Sequence, residues 1–207
     1  MTDATQANKA IEYWFDFVSP YAYLASQGIE QLAAKYSRQV EWKPILLGAV
    51  FKHTGSMPLT MRPPAMADYF KHDFQRSARF AGLPFVLPEP FPINTQNTAR
   101  VCLWLKQTSP QRVGEFVRSV TRAYFSGPTA LNDIGWLAAQ VQAMGLDGSA
   151  AAAACDEPLY KEALKAACEQ AVQQGIFGAP WIIVDGEAFW GHDRLPQVAQ
   201  WLERGGF

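Results

Sequence analysis

The feature that most constrains the fold is an apolar run, residues 11–18, that ends at Ser19 and is followed at once by Pro20. The run is dense in aromatic and aliphatic side chains, so it predicts a buried β-strand. Serine at an N-cap with proline at the next position is a strong helix-start signal. The sequence therefore predicts a strand, a sharp turn with a hydroxyl, and a helix. Ser19 is either only the helix cap or a functional group at the turn, and spacing alone leaves both open.

The first part of the chain has the pattern of a βαβ unit. A helix is predicted over residues 20–36, where apolar side chains recur at helical spacing, and a second strand over residues 40–47. Strands joined by one helix are parallel, with a right-handed crossover. Asp16 lies inside the first strand, and a carboxylate buried there needs a partner.

The middle of the chain predicts helices after an irregular segment. Glycines and prolines over residues 48–64 predict a loop, in which Lys52 and Arg62 are either solvated surface charges or a clamp for a ligand carboxylate. Four prolines exclude a regular helix over residues 83–92 and predict an extended or polyproline-like segment. Helices are predicted over residues 65–81, 95–107, 113–125, 133–144 and 149–174, the last broken near Glu157–Pro158.

The end of the chain returns to β-structure. A Gly-Ala-Pro step at residues 178–180 leads into a strand over residues 181–184, and Asp185–Gly186 predicts a tight hairpin turn. The return strand covers residues 187–190, a loop follows, and residues 195–204 predict a closing amphipathic helix.

Two small α/β pieces thus flank an all-helical middle. Neither piece has enough strands to bury a sheet alone, so both must join one mixed sheet. The predicted fold class is α/β, with the order βαβ, a large all-helical insertion, and αββα. The predicted division is residues 1–47 and 176–207 for the sheet domain, with residues 48–175 as linker and helical insertion subdomain.

Composition excludes several classes of partner. The 207 residues are 49% hydrophobic and carry a net charge of −1, which does not favour binding to nucleic acid or to an anionic membrane surface. The apolar runs are far shorter than the roughly 18 residues of a spanning helix. Residues 1–10 are polar and lack a signal-peptide core, so we expect a disordered lead-in and a cytoplasmic protein.

Cysteine and histidine placement argues against disulfide, dithiol and metal chemistry. Cys102, Cys155 and Cys168 contain no Cys-x-x-Cys pair, so buried or half-buried free thiols are expected. The three histidines are scattered without the spacing of metal ligands, and no metal site is predicted. Aromatic richness is consistent with a deep pocket for a flat ligand, although aromatic side chains also form ordinary core.

Three motifs in this order and spacing resemble a known family. They are FDFVSPYAY at residues 15–23, FGAP at residues 177–180 and FWGHDRL at residues 189–195. From residue 11 to residue 207 the chain resembles the 2-hydroxychromene-2-carboxylate isomerase family and the closely related kappa-class glutathione transferases. The resemblance implies a thioredoxin-like fold with a helical insertion and glutathione as cofactor.

The resemblance also implies a role for the turn after the first strand. Redox members of the fold carry Cys-x-x-Cys there, whereas this chain has Ser19 and Ala22. The implied catalytic role of Ser19 is to hold the glutathione sulfur as thiolate, since a hydroxyl donor and a helix N-terminus both favour the anion. Pro180, if cis, would turn the backbone of Ala179 toward the cysteinyl part of glutathione.

Further glutathione contacts are implied for the third motif. The loop with Trp190, Gly191, His192 and Asp193 matches the family's glutathione-binding loop. Asp193 would accept a charge-assisted hydrogen bond from the γ-glutamyl ammonium. Capping of the last helix is the alternative role of Asp193, and the two are compatible.

On the substrate side, Lys52 falls in a segment that resembles the family's basic loop, and Arg62 is the second candidate cation. Phe91 and Asn94 resemble the wall of the substrate pocket. Some isomerases have tyrosine in place of Phe91, and many relatives have asparagine where Ser56 stands, which bears on the aromatic substrate more than on glutathione.

The activity implied by the resemblance is glutathione-dependent isomerisation of a 2-hydroxychromene-2-carboxylate-like compound to a trans-o-hydroxybenzylidenepyruvate-like product in aromatic catabolism. The thiolate would add to the substrate and later be eliminated, so glutathione would not be consumed. The alternatives are a kappa-like glutathione transferase or peroxidase, and a module that binds glutathione without catalysis. Relatives suggest a homodimer.

Overall fold

The four strands form one mixed sheet in a computed structural model that describes residues 10–207. The strands are β1 (Ile11–Phe15), β2 (Val40–Pro44), β3 (Trp181–Val184) and β4 (Glu187–Trp190), in the order β2-β1-β3-β4. β1 is parallel to β2 and antiparallel to β3, and β3 is antiparallel to β4. The predicted fold class is confirmed. The lead-in expected at residues 1–10 lies, apart from Ala10, outside the described residues.

Ten α-helices and three short 3-10 helices accompany this sheet in the described part of the chain. The α-helices are α1 (Pro20–Ser26), α2 (Ile29–Lys35), α3 (Leu47–Thr54), α4 (Pro64–Phe80), α5 (Gln96–Thr108), α6 (Val113–Ser126), α7 (Ile134–Ala143), α8 (Gly148–Ala154), α9 (Pro158–Gln173) and α10 (Leu195–Arg204). Most match the predicted spans within a few residues, including the break before Pro158. Residues 83–92 form no regular element, as predicted, and the Glu89–Pro90 and Phe91–Pro92 bonds are cis.

The central strand β1 is buried on both faces. Tyr13 and Phe15 belong to a core that continues into α1, α5 and α6, while Trp14 points to a second core with α3 and α9. Tyr13 pairs with Trp42 of β2 on one side and with Ile182 of β3 on the other. Burial on both faces explains why β1 is apolar at every position except Glu12 rather than alternating.

Two predicted spans near the first strand were too long. β1 ends at Phe15 rather than residue 18, and the helix predicted over residues 20–36 is two helices, α1 and α2. The break falls at Gln27 and Gly28, which are the C-cap of α1 and the N-cap of α2. Glycine is a poor helix former, and the apolar periodicity on either side of Gly28 concealed the interruption.

The predicted loop at residues 48–64 was wrong in its first half. β2 ends at Pro44, and Leu47–Thr54 forms α3, which ends at Gly55 in the left-handed conformation. The Leu47 backbone N–H donates to Oδ2 of Asp16 at 2.8 Å, so a distant carboxylate satisfies the first turn of this helix. A capping contact from another element leaves no local signal in the sequence.

The helical middle packs on the sheet without a separate core. A single apolar cluster includes Tyr13 and Ile182 of the sheet together with Phe116 of α6 and Leu137 of α7. The division at residues 47/48 and 175/176 stays a prediction. Among residues 10–207, no helix is long and apolar enough to cross a membrane.

The three cysteines are free and buried, as predicted. Burial raises the pKa of the Cys102 thiol to about 12, and it also raises the pKa of Cys155 and Cys168. Each thiol is therefore neutral near pH 7 and a weak nucleophile.

Candidate active site

Ser19 lies at the turn between β1 and α1 and makes two hydrogen bonds. As the N-cap of α1, its Oγ accepts from the Ala22 backbone N–H at 3.2 Å. The hydroxyl donates to the Ala179 carbonyl oxygen at 3.0 Å, across 160 residues of sequence. Ser19 is thus a helix cap, as predicted, and its hydroxyl hydrogen also joins the first strand's turn to the Ala179 loop.

The loop around Ala179 is tightly packed against residues 190–193. The Ala179–Pro180 bond is cis, and the Gly191 backbone N–H donates to the Pro180 carbonyl at 3.1 Å. A Cβ on Gly178 would lie only 2.6 Å from Nε1 of Trp190, so this position has no room for a side chain unless the indole moves. Gly191 adopts a φ of +115°, which favours glycine.

A cleft of about 1430 Å³ opens above Ser19. Ten predicted site residues line it: Ser19, Lys52, Arg62, Phe91, Asn94, Ala179, Trp190, Gly191, His192 and Asp193. Pro180 is buried and does not reach the cleft surface. The sequence-predicted residues therefore lie together around one cavity.

The cleft has two walls of different origin. The sheet-side wall consists of Ser19, Leu24, residues 177–179 and residues 190–193. The helical wall consists of the cleft-lining residues of α3, of the segment 56–62, of α4 and of residues 91–96. Apolar side chains cover much of both walls: Leu24, Met57, Leu59, Phe70, Phe74, Phe80, Phe91, Phe177 and Trp190. Such a lining suits the flat apolar part of an aromatic ligand.

The alternative role of Asp193 as a helix cap is wrong. α10 begins at Leu195 with Arg194 as its N-cap residue, and residues 192–194 form a short 3-10 turn. The Asp193 carboxylate is instead exposed at the cleft and pairs with the Arg194 guanidinium at 3.3 Å. An exposed ion pair of this kind contributes little, so the carboxylate can accept a hydrogen bond from a ligand ammonium.

Lys52 and Arg62 bring positive charge to the helical wall. Lys52 lies on α3 and is exposed, and neither cation has a carboxylate within 4.0 Å among residues 10–207. Nη2 of Arg62 donates to the Ser56 hydroxyl at 2.9 Å, and its Nε is buried without a partner in the described part of the chain. Both guanidinium and ammonium can therefore still bind an anion.

A side-chain network on the same cleft was missed from the sequence. The Tyr21 hydroxyl donates to the Asp73 carboxylate, which also receives a hydrogen bond from Arg76. The Tyr21 ring stacks on His192, with ring centroids 4.7 Å apart and an interplanar angle of 3°. The network joins α1 and the loop before α10 to α4 of the helical wall.

The network shifts the pKa of all four of its members, and the hydrogen bond with Asp73 raises that of Arg76. Burial and then the Asp73 carboxylate raise the pKa of Tyr21. Burial acts to raise the pKa of Asp73, but hydrogen bonds from Tyr21 and Arg76 outweigh it and the net pKa is lowered. Burial lowers the pKa of His192, although Asp193 and Asp73 oppose that change. Near pH 7 the network therefore holds one carboxylate, a neutral imidazole and a neutral phenol.

Only a weak sequence signal existed for this network. Tyr21 belongs to the first motif, and Asp73 and Arg76 lie three residues apart on a predicted helix, which is an ordinary surface ion-pair spacing. Pairing of Tyr21 with a residue 52 positions later depends on how α4 docks, and no local pattern encodes that contact.

The partners of the buried Asp16 carboxylate are hydrogen-bond donors. It is 3% exposed and accepts from the Val18 N–H at 3.2 Å, the Leu47 N–H at 2.8 Å and the Thr95 hydroxyl at 2.7 Å. Burial raises the pKa of Asp16, against the hydrogen bonds, which act to lower it.

In residues 10–207, no three His, Cys, Asp or Glu side chains are grouped so as to hold a metal ion.

A family model described as a DsbA-like thioredoxin domain matches residues 10–203. The chain belongs to the DsbA-like thioredoxin family. This DsbA-like domain has Ser19 and Ala22, and no cysteine, at the turn between β1 and α1, where the resemblance implies the dithiol of redox members. Its three thiols lie elsewhere and are buried.

Curated relatives of this DsbA-like domain include two enzyme types. A glutathione S-transferase kappa 2 from Caenorhabditis elegans is 26% identical over 213 residues, covering 94% of this chain and 92% of the relative. A 2-hydroxychromene-2-carboxylate isomerase from Sphingobium xenophagum is 27% identical over 195 residues, covering 94% and 98%. A solved structure of a 2-hydroxychromene-2-carboxylate isomerase superposes with a TM-score of 0.85 at 25% identity, covering 95% of each chain. The resemblance drawn from the three motifs is confirmed.

Proposed function

We propose that this protein is a glutathione-dependent isomerase that interconverts 2-hydroxychromene-2-carboxylate-like and trans-o-hydroxybenzylidenepyruvate-like compounds. The observation that carries the proposal is the Ser19 hydroxyl, which lies at the base of a large apolar cleft and donates to Ala179 at 3.0 Å. Aromatic catabolism, a homodimeric state and a cytoplasmic location belong to the same proposal.

The polar groups of the cleft fit the chemistry of glutathione. The polar groups of the tripeptide include an ammonium and a thiol, and the sheet-side wall offers a carboxylate at Asp193 and a hydroxyl at Ser19. Ser19, Ala179 and residues 190–193 would hold the cofactor, with Pro180 supporting Ala179 from behind. When bound, glutathione would supply a nucleophilic thiolate that is regenerated at the end of the reaction.

The protein's contribution is to favour the thiolate and to orient the reactants. The Ser19 hydroxyl can rotate from the Ala179 carbonyl toward a sulfur anion while its oxygen still accepts from the Ala22 N–H. A hydroxyl donor stabilises the anion more than the neutral thiol and lowers the thiol's pKa. Ser19 itself forms no covalent bond with the substrate, because the glutathione sulfur is the nucleophile.

The helical wall suits an aromatic carboxylate. Phe91 and its apolar neighbours provide flat contacts, and Lys52 and Arg62 provide the charge for a carboxylate. Asn94 is exposed at the cleft and can donate to or accept from a substrate hydroxyl.

A kappa-like glutathione transferase or peroxidase is the second candidate. The relative named glutathione S-transferase kappa 2 favours it, because that protein matches over 94% of this chain. A transferase consumes glutathione, whereas an isomerase returns it, so thiol stoichiometry separates the two.

The test is an assay of the purified protein with 2-hydroxychromene-2-carboxylate, with and without glutathione. We expect a glutathione-dependent change in substrate absorbance and no loss of free thiol over many turnovers. Stoichiometric thiol loss would support the transferase instead. Glutathione binding by calorimetry without turnover of isomerase, transferase or peroxidase substrates would leave a non-catalytic binding module, and absence of binding would contradict all three.

A further inference from the structure

The Asp16 side chain hydrogen-bonds to three separate segments of the cleft. Its Oδ1 accepts from the Val18 N–H and the Thr95 hydroxyl, and its Oδ2 accepts from the Leu47 N–H. The side chain lines the cleft, yet the residue is only 3% exposed, so it meets the cavity from beneath. These contacts span 31 and 79 residues of sequence.

Each of the three segments carries part of the candidate site. Val18 directly precedes Ser19. Leu47 is the first residue of α3, the helix that presents Lys52, and Thr95 directly follows Asn94. The sheet-side wall and two parts of the substrate-binding region are therefore fixed relative to one another through one carboxylate.

We propose that Asp16 is a positioning residue that sets the distance and angle between the Ser19 hydroxyl and the substrate-binding residues Lys52 and Asn94. The inference rests on the proposed function. Asp16 does not touch the reacting atoms; it acts through the three donors that it holds.

The chemistry of the contacts explains why a carboxylate is needed. An ionised carboxylate is an acceptor at both oxygens, so it can serve donors from three directions. Asparagine has the same shape, but one of its two terminal groups is a donor and would face a donor in either orientation. Asp16→Asn therefore breaks at least one contact without changing side-chain volume.

A matched pair of threonines separates positioning from general stability. Thr95 is 2% exposed and donates to Asp16, whereas Thr98 is buried one turn later and donates to the Leu131 carbonyl at 2.5 Å, away from the cleft. Valine in place of either threonine keeps the volume and removes one buried hydroxyl hydrogen bond. Both changes cost stability, but only Thr95→Val disturbs the site.

The experiment compares wild type, Asp16→Asn, Thr95→Val, Thr95→Ser and Thr98→Val by kinetics and by amide hydrogen exchange of the ligand-free protein. We expect kcat/KM to fall about 5- to 10-fold in Thr95→Val and more in Asp16→Asn, with wild-type values in Thr95→Ser and Thr98→Val. Exchange at Leu47 should accelerate in Asp16→Asn but not in Thr98→Val.

The outcomes separate this inference from the proposed function. A wild type with no glutathione-dependent turnover overturns the proposed function and, with it, the positioning role. An active wild type with equal losses of melting temperature and unchanged kcat/KM in both valine variants overturns the positioning role alone. If Asp16→Asn does not fold, the Thr95 and Thr98 variants decide the question.

Discussion

On the sheet-side wall, Ser19 is 5% exposed and Ala179 is 8% exposed, whereas Phe80 on the helical wall is 94% exposed. The sheet-side residues are held by backbone contacts and by the Ser19–Ala179 hydrogen bond. On the helical wall, Met57 and Tyr69 are also more than one-third exposed, and Lys52 extends into solvent. The Ser19 turn and the Ala179 loop are packed like a core, whereas Trp190 and Asp193 of the same wall and much of the helical wall are exposed.

The contrast separates two tasks of the candidate site. A group that tunes the pKa of a thiol must be fixed to within about 0.5 Å, and burial with several hydrogen bonds provides that. Binding of an apolar substrate tolerates mobile contacts. We therefore expect changes on the sheet-side wall to affect glutathione and the rate, and changes on the helical wall to affect the choice of substrate.

The largest effect is expected for Ser19→Ala. Hydrogen bonds to charged groups contribute about 1.5–3 kcal/mol, so we expect kcat/KM to fall about 10- to 100-fold. The control is Ser26→Ala on the same helix α1, where a buried hydroxyl donates to the Tyr23 carbonyl at 2.7 Å away from the cleft. Steady-state kinetics at saturating glutathione measure the effect. Equal activity of the two variants would contradict the claim that the sheet-side wall controls the rate.

A second change tests how tightly the sheet-side wall is packed. In Gly178→Ala the new Cβ would meet the Trp190 indole at 2.6 Å. We expect a loss of about 1–3 kcal/mol in unfolding free energy and weaker glutathione binding, measured by denaturation and calorimetry. Gly28→Ala is the control, because no atom lies within 4 Å of its Cβ. If Gly178→Ala changed neither the unfolding free energy nor glutathione binding, the Trp190 side chain would have moved aside to make room for the new methyl group.

A smaller effect is expected on the helical wall. Lys52→Met removes an exposed charge, and exposed ion pairs are worth about 0.2–1 kcal/mol, so KM for a carboxylate substrate should rise about 2- to 5-fold. Glutathione affinity should not change. Lys71→Met, which removes a surface charge paired with Asp68 outside the cleft, serves as control. If Lys52→Met weakens glutathione rather than substrate, the division of tasks is wrong.

The smallest effect concerns pH and His192. Burial lowers its pKa below the ordinary value of about 6.5, so the folded protein favours the neutral imidazole. As pH falls below about 6.5 the unfolded chain binds more protons, and the free energy of unfolding decreases until His192 is also protonated in the folded state. Melting curves between about pH 7.5 and 5 should show a shallower decline in His192→Phe, which keeps a flat ring against Tyr21. Identical declines of stability in wild type and His192→Phe would contradict a lowered pKa of His192 in the folded protein.

Much of the sheet-side wall could be predicted from the sequence because its signals are local. Serine before proline marked the start of α1, and the cap is present as a hydrogen bond from the Ala22 N–H to Ser19. Asp185 and Gly186 marked the hairpin between β3 and β4. The family motifs then indicated that the turn at Ser19 and the loop at residues 190–193 belong to one site, and both line the cleft.

The helical wall could not be predicted to the same depth, because tertiary contacts determine it. α3 was missed since its first N–H is satisfied by Asp16, 31 residues earlier. The Tyr21–Asp73 contact depends on the docking of α4 and has no counterpart in local periodicity. Gly28 shows the reverse case. A local helix breaker was present in the sequence, but the apolar pattern on both sides of it led to the prediction of one continuous helix.

The central claim is that the Ser19 hydroxyl stabilises a glutathione thiolate. It is tested most directly by NMR titration of glutathione isotope-labelled at its cysteinyl Cβ, bound to wild type and to Ser19→Ala. We expect the bound thiol to titrate at least about one pH unit below its ordinary value near 8.5 in wild type, and to return toward that value in Ser19→Ala. A bound thiol that titrates like free glutathione, or equally in both proteins, would contradict the claim.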